Sequence, residues 1–279
     1  MNWYTFHYDV FLDFDAPVSE HQFLLRCLPK TCGRQRVVRA ELSLRPTVGY
    51  ETLTDGFGNL VQTGAIPFGH TSFHYTSEGE VFISPKNASR EALNPVFAYP
   101  SEMTQPCAAF EALLKDIPGG GEAGGAVGAS DAPGGGASVL ETALAISRRV
   151  KRALAYEPGI TDLSTTAADA LAAGVGVCQD FTHVFLALCR MRGIPARYCN
   201  GLMVGEGVSH AWAEVYDKGV WIGVDPTHDC EINETYLLFS VGRDYTDCSI
   251  ERGVFFGGGG QNQKVAAKLA EVRAADMQQ

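Results

Sequence analysis

The feature that most constrains this chain is the segment GVGVCQDFTHVFLALCRMRGIPARYCNG, residues 174–201, with Cys178 near its start. After Cys178 the large apolar residues recur at spacings of three and four, which is the pattern of a helix with one buried face: Phe181, Val184, Phe185 and Leu188. Gly193 and Pro195 then end the helix. The segment therefore predicts a helix that begins at or next to Cys178.

A cysteine at the start of a helix has two interpretations. Unpaired backbone N–H groups and the positive end of the helix dipole favour an anion at that position, and a thiolate is such an anion. Most free cysteines, by contrast, are buried as small apolar residues. The helix alone leaves both interpretations of Cys178 open, and the sequence downstream has to decide between them.

A second segment, SHAWAEVYDKGVWIGVDPTHD, predicts a β-hairpin. Residues 209–216 and 220–225 are rich in strand-forming residues, and the Asp-Lys-Gly between them is typical of a turn. A hairpin that closes symmetrically about Lys218 and Gly219 places Trp212 opposite Asp225. His210 is then a diagonal neighbour of Asp225 on the same face, provided that no bulge shifts the register. The hairpin therefore offers an imidazole with a carboxylate beside it.

Cysteine, histidine and aspartate in these contexts suit nucleophilic catalysis. The thiol of Cys178 attacks a carbonyl carbon, and the imidazole of His210 accepts and returns a proton. The carboxylate of Asp225 fixes the tautomer and the orientation of that ring. We therefore expect Cys178, His210 and Asp225 to be the catalytic residues, with backbone N–H groups near Cys178 holding the developing oxyanion.

The motifs GVCQDF, SHAWAEVY, WIGVDPT and VGRDYTD, in this order, resemble the bacterial transglutaminase-like superfamily. The resemblance covers residues 138–260 and implies an α+β, papain-like core, in which the cysteine-bearing helix packs on an antiparallel sheet. In that family the cysteine, the S-H-A-W histidine and the D-P-T aspartate form the triad, so Cys178, His210 and Asp225 carry over. The preceding TDGFGNLV and YPSEMTQP also resemble the β-rich N-terminal domain of many bacterial members.

Alternation of apolar and polar residues up to about residue 85, with turn clusters between short runs, predicts an antiparallel β-sandwich. We therefore expect an N-terminal sandwich domain over residues 1–100 and the catalytic domain over 101–279. Within the second domain, residues 118–136 are almost entirely glycine, alanine and small polar residues, which predicts a flexible insertion, either plain or a lid. The segment KVAAKLAEV near the end has the composition of a helix, but the resemblance implies a terminal strand, which we expect.

Other candidate sites are less favoured. His70 and His74 have no cysteine or carboxylate companion, so we expect no metal there. Consecutive residues in an extended chain alternate faces, so His228, Asp229 and Cys230 are interpreted as a solvated loop rather than a metal site. Two other residues of the helix that begins at Cys178 carry a histidine or cysteine side chain. We assign His183 a packing or supporting role, and we expect Cys189 to lie in the core. We expect no metal and no cofactor.

Composition restricts the partners. A net charge of −10 argues against nucleic acid and anionic membranes, because both require a basic surface. The N-terminus lacks the basic start and apolar stretch of an export signal, and eight irregularly spaced cysteines resemble reduced thiols rather than a disulfide framework. We therefore expect a cytoplasmic protein that acts on a peptide or protein substrate. Composition does not define the oligomeric state.

The expected activity is that of a cysteine peptidase or amidase that forms a thioester acyl-enzyme. The alternative is a true transglutaminase, in which a primary amine rather than water takes the acyl group. A third interpretation keeps the fold but not the catalysis, as a binding module with an unused triad. A thiol redox protein is disfavoured because the chain has no Cys-x-x-Cys pair.

Overall fold

A computed structural model describes residues 1–117 and 137–272, so the whole of the predicted insertion at 118–136 lies outside the described residues. The strands are β1 (Asn2–Leu25), β2 (Gln35–Arg45), β3 (Tyr50–Thr54), β4 (Leu60–Ile66), β5 (His70–Ile83), β6 (Ser89–Arg90), β7 (Ala155–Tyr156), β8 (Val175–Gly176), β9 (Ala196–Met203), β10 (Gly205–Gly207), β11 (His210–Asp217), β12 (Val220–Asp225), β13 (Cys230–Glu231), β14 (Tyr236–Gly242), β15 (Glu251–Gly257) and β16 (Gln261–Glu271). The helices are α1 (Ala108–Leu114), α2 (Val139–Ala153), α3 (Ala167–Ala173), α4 (Cys178–Met191) and α5 (Tyr245–Cys248), with short 3₁₀ turns at Pro95–Ala98 and Glu102–Thr104.

The N-terminal sheet is organised around the long strand β1. Residues 2–14 of β1 pair with β5 and β16, whereas residues 18–25 pair with β4 and β15, and the register shifts between the two halves. Side chains of both halves meet in one core, in which the rings of Phe23 and Phe73 lie 5.2 Å apart. The alternating pattern therefore produces a single sheet that curls over its own core.

The C-terminal strands complete this N-terminal sheet. Strand β16 pairs with β1 from Tyr4 to Phe14 without a break, and the apolar side chains of Ala267 and Leu269 enter the N-terminal core. The expected terminal strand is therefore confirmed, because eleven paired residues outweigh the weak helix propensity of the segment. Since β15 and β16 follow the motifs of the predicted triad in the sequence, segments from both ends of the chain build the sheet. The domain boundary near residue 100 stays a prediction.

The second sheet has the order β13-β12-β11-β9-β14 and packs against α4, which also contacts α2 and α3. The sequence pattern predicted one buried face for α4, but all residues from Gln179 to Arg190 are buried. The sheet covers one side of α4, and the neighbouring helices cover its other sides. Cys189 is buried in this core, as predicted, and buried His183 accepts a hydrogen bond at Nε2 from the backbone N–H of Tyr245. Within the described residues no helix is long and apolar enough to cross a membrane.

The two sheets share a hydrophobic core. Leu202 of β9 with Leu237 and Phe239 of β14 belong to the same buried cluster as the N-terminal sheet. The ring of Phe239 lies 6.0 Å from that of Phe6 and 5.7 Å from that of Tyr8, in edge-to-face arrangements. The N-terminal region is therefore packed directly against the sheet that carries the predicted triad.

Phe239→Ala should destabilise the whole chain, because it empties the centre of this shared core. We expect the free energy of unfolding to fall by about 3–5 kcal/mol in urea denaturation. The matched control is Phe256→Ala, since Phe256 is 69% exposed and its truncation should cost less than about 1 kcal/mol. Equal effects of the two substitutions would show that the core between the sheets contributes little.

Candidate active site

Helix α4 begins at Cys178 because the residues around it fix its first turn. Asp180 accepts a hydrogen bond at Oδ2 from the backbone N–H of Val177 at 2.7 Å, and a second from Thr161 Oγ1, also at 2.7 Å. Gly176 permits this approach, since a Cβ at that position would lie 2.6 Å from the Cβ of Asp180. Cys178 is therefore the first residue of the helix, among backbone N–H groups that have no intrahelical acceptor.

The hairpin of β11 and β12 has the register that the sequence predicted. Asp217 pairs with Val220 across a turn whose two residues, Lys218 and Gly219, both have positive φ. His210 and Asp225 are consequently brought together on one face, with His210 Nε2 2.8 Å from Asp225 Oδ2. A hairpin turn of this type matches the twist of the strands, so local geometry alone defines the pairing.

Asp225 is completely buried and accepts five hydrogen bonds from described residues. Its Oδ2 receives the His210 imidazole at 2.8 Å, the His228 imidazole at 2.7 Å and the Tyr236 hydroxyl at 2.9 Å. Its Oδ1 receives the backbone N–H groups of Thr227 at 2.8 Å and His228 at 3.2 Å. Burial by itself raises the pKa of Asp225, but the hydrogen bonds and charges of the two imidazoles outweigh burial and hold the pKa well below its usual value.

His210 lies between this carboxylate and the thiol of Cys178. Burial by itself lowers the pKa of His210, but hydrogen bonds to Asp225 and Cys178 and the charges of both groups outweigh burial and raise the pKa to about 9. Since Nε2 faces Asp225, Nδ1 is the ring nitrogen left for the thiol. The three residues predicted from the sequence thus meet, in an arrangement that can exchange a proton between sulfur and imidazole.

His228 is a partner of Asp225 that the sequence reasoning missed: the residue lies in an exposed turn, as interpreted, but its ring also binds the carboxylate. Half of its side chain is exposed, but its ring is bound to Asp225 and lies 5.3 Å from that of His210. The sequence signal for this contact is the D-P-T-H spacing, because an aspartate at a turn accepts hydrogen bonds from the backbone N–H groups two and three residues later. Tyr236 gave no comparable local signal, since it reaches Asp225 from a strand at the opposite end of the sheet order.

Metal-type ligands also occur at this site. His210, Asp225 and His228 each present a ligand atom within 4.8 Å of the other two. However, the imidazole nitrogens nearest to Asp225 are already engaged with its Oδ2 at hydrogen-bonding distances. The geometry therefore fits two imidazoles that share the Asp225 carboxylate better than three ligands of a metal ion. In the N-terminal sheet, His74 binds Asp9 at 2.7 Å while His70 lies 3.2 Å from His21, so the two histidines have separate partners.

Cys178 and His210 line a cleft of about 400 Å³. Its walls combine apolar and polar side chains from the helices, the hairpin and the end of β16: Lys151, Tyr156, Met203, Val204, Glu206, Val208, His228 and Ala267. Tyr156 and Val208 are more than half exposed, so the cleft opens to solvent. A cleft of this size accommodates part of an extended chain next to the thiol.

Two family models match the chain. Residues 4–82 match the bacterial transglutaminase-like N-terminal region, and residues 129–226 match the transglutaminase-like superfamily. The second match contains all three predicted site residues.

Relatives occur in mycobacteria. An uncharacterized protein of Mycobacterium leprae is 39% identical over 139 residues, which are 46% of this chain and 50% of that protein. An uncharacterized protein of Mycobacterium tuberculosis is 28% identical over 250 residues, 82% of this chain and 79% of that protein. The alignment thus spans half of the first relative and about four fifths of the second.

The fold is also similar to a solved structure from Cytophaga hutchinsonii, described as a candidate cysteine protease. The TM-score is 0.74 at 21% sequence identity, over 98% of this chain and 91% of that one. The two family matches assign residues 129–226 to the transglutaminase-like superfamily and residues 4–82 to the bacterial transglutaminase-like N-terminal region, and the likeness to the solved structure shows that the chain has the same fold.

Proposed function

We propose that this protein is a cysteine peptidase or amidase that cleaves amide bonds of peptides or proteins through a thioester. The observation that carries the proposal is that Cys178 and His210 line the same open cleft, with His210 Nε2 2.8 Å from the buried Asp225. Three side chains of the required types, in the required order of contact, support catalysis over a binding module with an unused triad.

The reaction follows from these contacts. The imidazolium of His210 stabilises the thiolate of Cys178, which attacks the amide carbon. The first backbone N–H groups of α4 stabilise the oxyanion that develops. His210 then transfers its proton to the leaving amine, the C–N bond breaks, and an acyl thioester remains on Cys178. Asp225 keeps the ring oriented throughout, because its other hydrogen bonds hold the carboxylate in place.

Water is the acyl acceptor that the site favours. The cleft opens between exposed side chains, including Tyr156 and Val208, so solvent reaches the thioester. His210, neutral after the first step, activates the water molecule and regenerates the thiol. Transfer to a primary amine is the alternative, and it would appear as an isopeptide product when an amine is supplied.

The first test is the reactivity of Cys178. We expect iodoacetamide at pH 6 to label Cys178 at least tenfold faster than the half-buried Cys32, Cys107 and Cys230, as measured by peptide mapping. Burial raises the pKa of the remaining thiols, which should react slowest: Cys27, Cys189, Cys199 and Cys248.

His210→Ala should remove this selectivity, since it removes the cation that stabilises the thiolate. The control is His7→Ala, because His7 is about half exposed on the N-terminal sheet and should leave labelling unchanged. Labelling of Cys178 at the rate of the other half-buried thiols, with no effect of His210→Ala, would favour the binding module.

A second test is the pH dependence of stability. The pKa of His210 in the folded chain, about 9, lies above its ordinary value of 6.5, so the protonated ring stabilises the fold. This contribution is complete below pH 6.5 and is lost as the pH rises through 9. Between pH 6 and pH 10 the stability advantage over His210→Gln should shrink by about 2–3 kcal/mol. Urea denaturation across this range measures it, and a constant advantage would contradict the assignment.

A third test concerns the carboxylate. Asp225→Asn should slow any amide cleavage by about 10³-fold or more, and it should bring the labelling of Cys178 close to the rate of the other half-buried thiols, because the amide cannot hold the imidazolium. His228→Ala removes one donor from the same oxygen and should slow both by less than about tenfold, since the half-exposed ring adds a weaker contact. Circular dichroism of both variants checks the fold. An Asp225→Asn protein with unchanged rates would exclude this carboxylate from the mechanism.

A further inference from the structure

A second cavity, of about 240 Å³, adjoins the cleft of the triad. Ser209, the residue directly before His210, lines both cavities. The second cavity is built from both regions of the chain, with walls from β1, β5, β9, α5, β15 and β16. Its volume is below that of a pocket for a drug-sized molecule and suits a single long side chain.

The walls of this cavity are rich in aromatic rings, from Tyr8, Phe14, Tyr75, Tyr245 and Phe255. The rings of Phe14 and Phe255 contact each other edge to face at 4.9 Å, and those of Tyr8 and Tyr75 lie 6.3 Å apart. Packing of this kind keeps the rings in place. The faces of aromatic rings carry negative charge, so a group of such rings attracts a cation.

Glu251 supplies the only carboxyl among the described residues that line the cavity. Its Oε2 accepts hydrogen bonds from the Tyr75 hydroxyl at 3.2 Å and from Gln263 Nε2 at 3.0 Å. Arg252 also lines the cavity, but its guanidinium donates to Ser249 Oγ and to the carbonyl oxygen of Thr246 rather than to Glu251. The carboxyl group is thus held in place among aromatic rings without a paired cation from these neighbours.

The raised pKa of Glu251 is consistent with a carboxyl group that has no paired cation among these neighbours. Burial raises the pKa of Glu251 to about 7, although the hydrogen bonds from Tyr75 and Gln263 act in the opposite direction. A partly buried carboxylate without a counter-ion is destabilised, and a cation placed beside it reduces that cost. An anionic or purely apolar side chain in the cavity would leave the cost in place.

We propose that this cavity, with Glu251 at its wall and aromatic rings around it, binds the alkylammonium group of a lysine side chain of the substrate, next to the amide held at Cys178. The proposal rests on the proposed function for the adjacent triad. It makes Glu251 a specificity residue, which contacts the substrate and takes no part in bond cleavage.

Binding without turnover provides the test. In Cys178→Ala protein, NMR titration compares Nα-acetyl-lysine amide with Nα-acetyl-norleucine amide, which has a similar chain but no charge. We expect at least tenfold tighter binding of the lysine probe. Glu251→Gln keeps the hydrogen-bond acceptor for Tyr75 but removes the charge, so it should abolish the preference and leave the norleucine affinity unchanged. The control Glu41→Gln removes an exposed carboxylate on β2 and should keep the preference.

The outcomes separate this proposal from the proposed function. Equal affinities for the two probes, or a lysine preference that survives in Glu251→Gln, would overturn the lysine site even if Cys178 is selectively labelled. A lysine preference that Glu251→Gln removes, together with unselective labelling of Cys178, would support the site while rejecting the enzyme. Unchanged norleucine binding in Glu251→Gln serves as the check that the variant is folded.

Discussion

The arrangement of the candidate site depends on one buried carboxylate, that of Asp225. Its two oxygens accept five hydrogen bonds from described residues, and these come from three places in the chain: His210 on β11, the turn after β12, and Tyr236 on β14. A buried carboxylate is tolerated only when hydrogen-bond donors or positive charges occupy its acceptor sites. The hairpin, the turn and the fifth strand of the sheet therefore have to be in place together, and the orientation of His210 follows.

The position of the thiol depends on an equally buried helix. Asp180 fixes the first turn of α4, and Arg190 near the other end binds Thr104 Oγ1 at 2.6 Å and the carbonyl oxygens of Ala196 and Arg243 at 2.9 and 2.6 Å. These contacts connect the helix to the 3₁₀ turn at Glu102–Thr104, to the start of β9 and to the segment that follows β14. Polar groups at the two ends of α4 thus align the helix, while apolar packing around its middle provides the stability.

The N-terminal region contributes to the surroundings of the site as well as to stability. Strand β1 and the C-terminal strands form one sheet, and its core continues through Phe239 into the sheet that carries the predicted triad. The lysine-binding cavity that we propose lies where these layers meet. Its carboxyl, Glu251, comes from the strand that directly follows the last of the family motifs in the sequence. The joining of the two regions therefore places the proposed lysine site beside the proposed acyl-transfer site.

The sequence by itself determined the features that depend on short-range spacing. The start of α4 at Cys178, the two-residue turn of the hairpin and the meeting of His210 with Asp225 follow from helical periodicity, a glycine turn and the alternation of a strand. Only the tertiary structure decided the burial of α4 on all sides, the contacts of Tyr236 with Asp225, the return of β16 to β1 and the cavity around Glu251. Each of these joins residues that are distant in the sequence. Such contacts are selected by the packing and hydrogen bonding of the whole chain, which leave no periodic trace in any one segment.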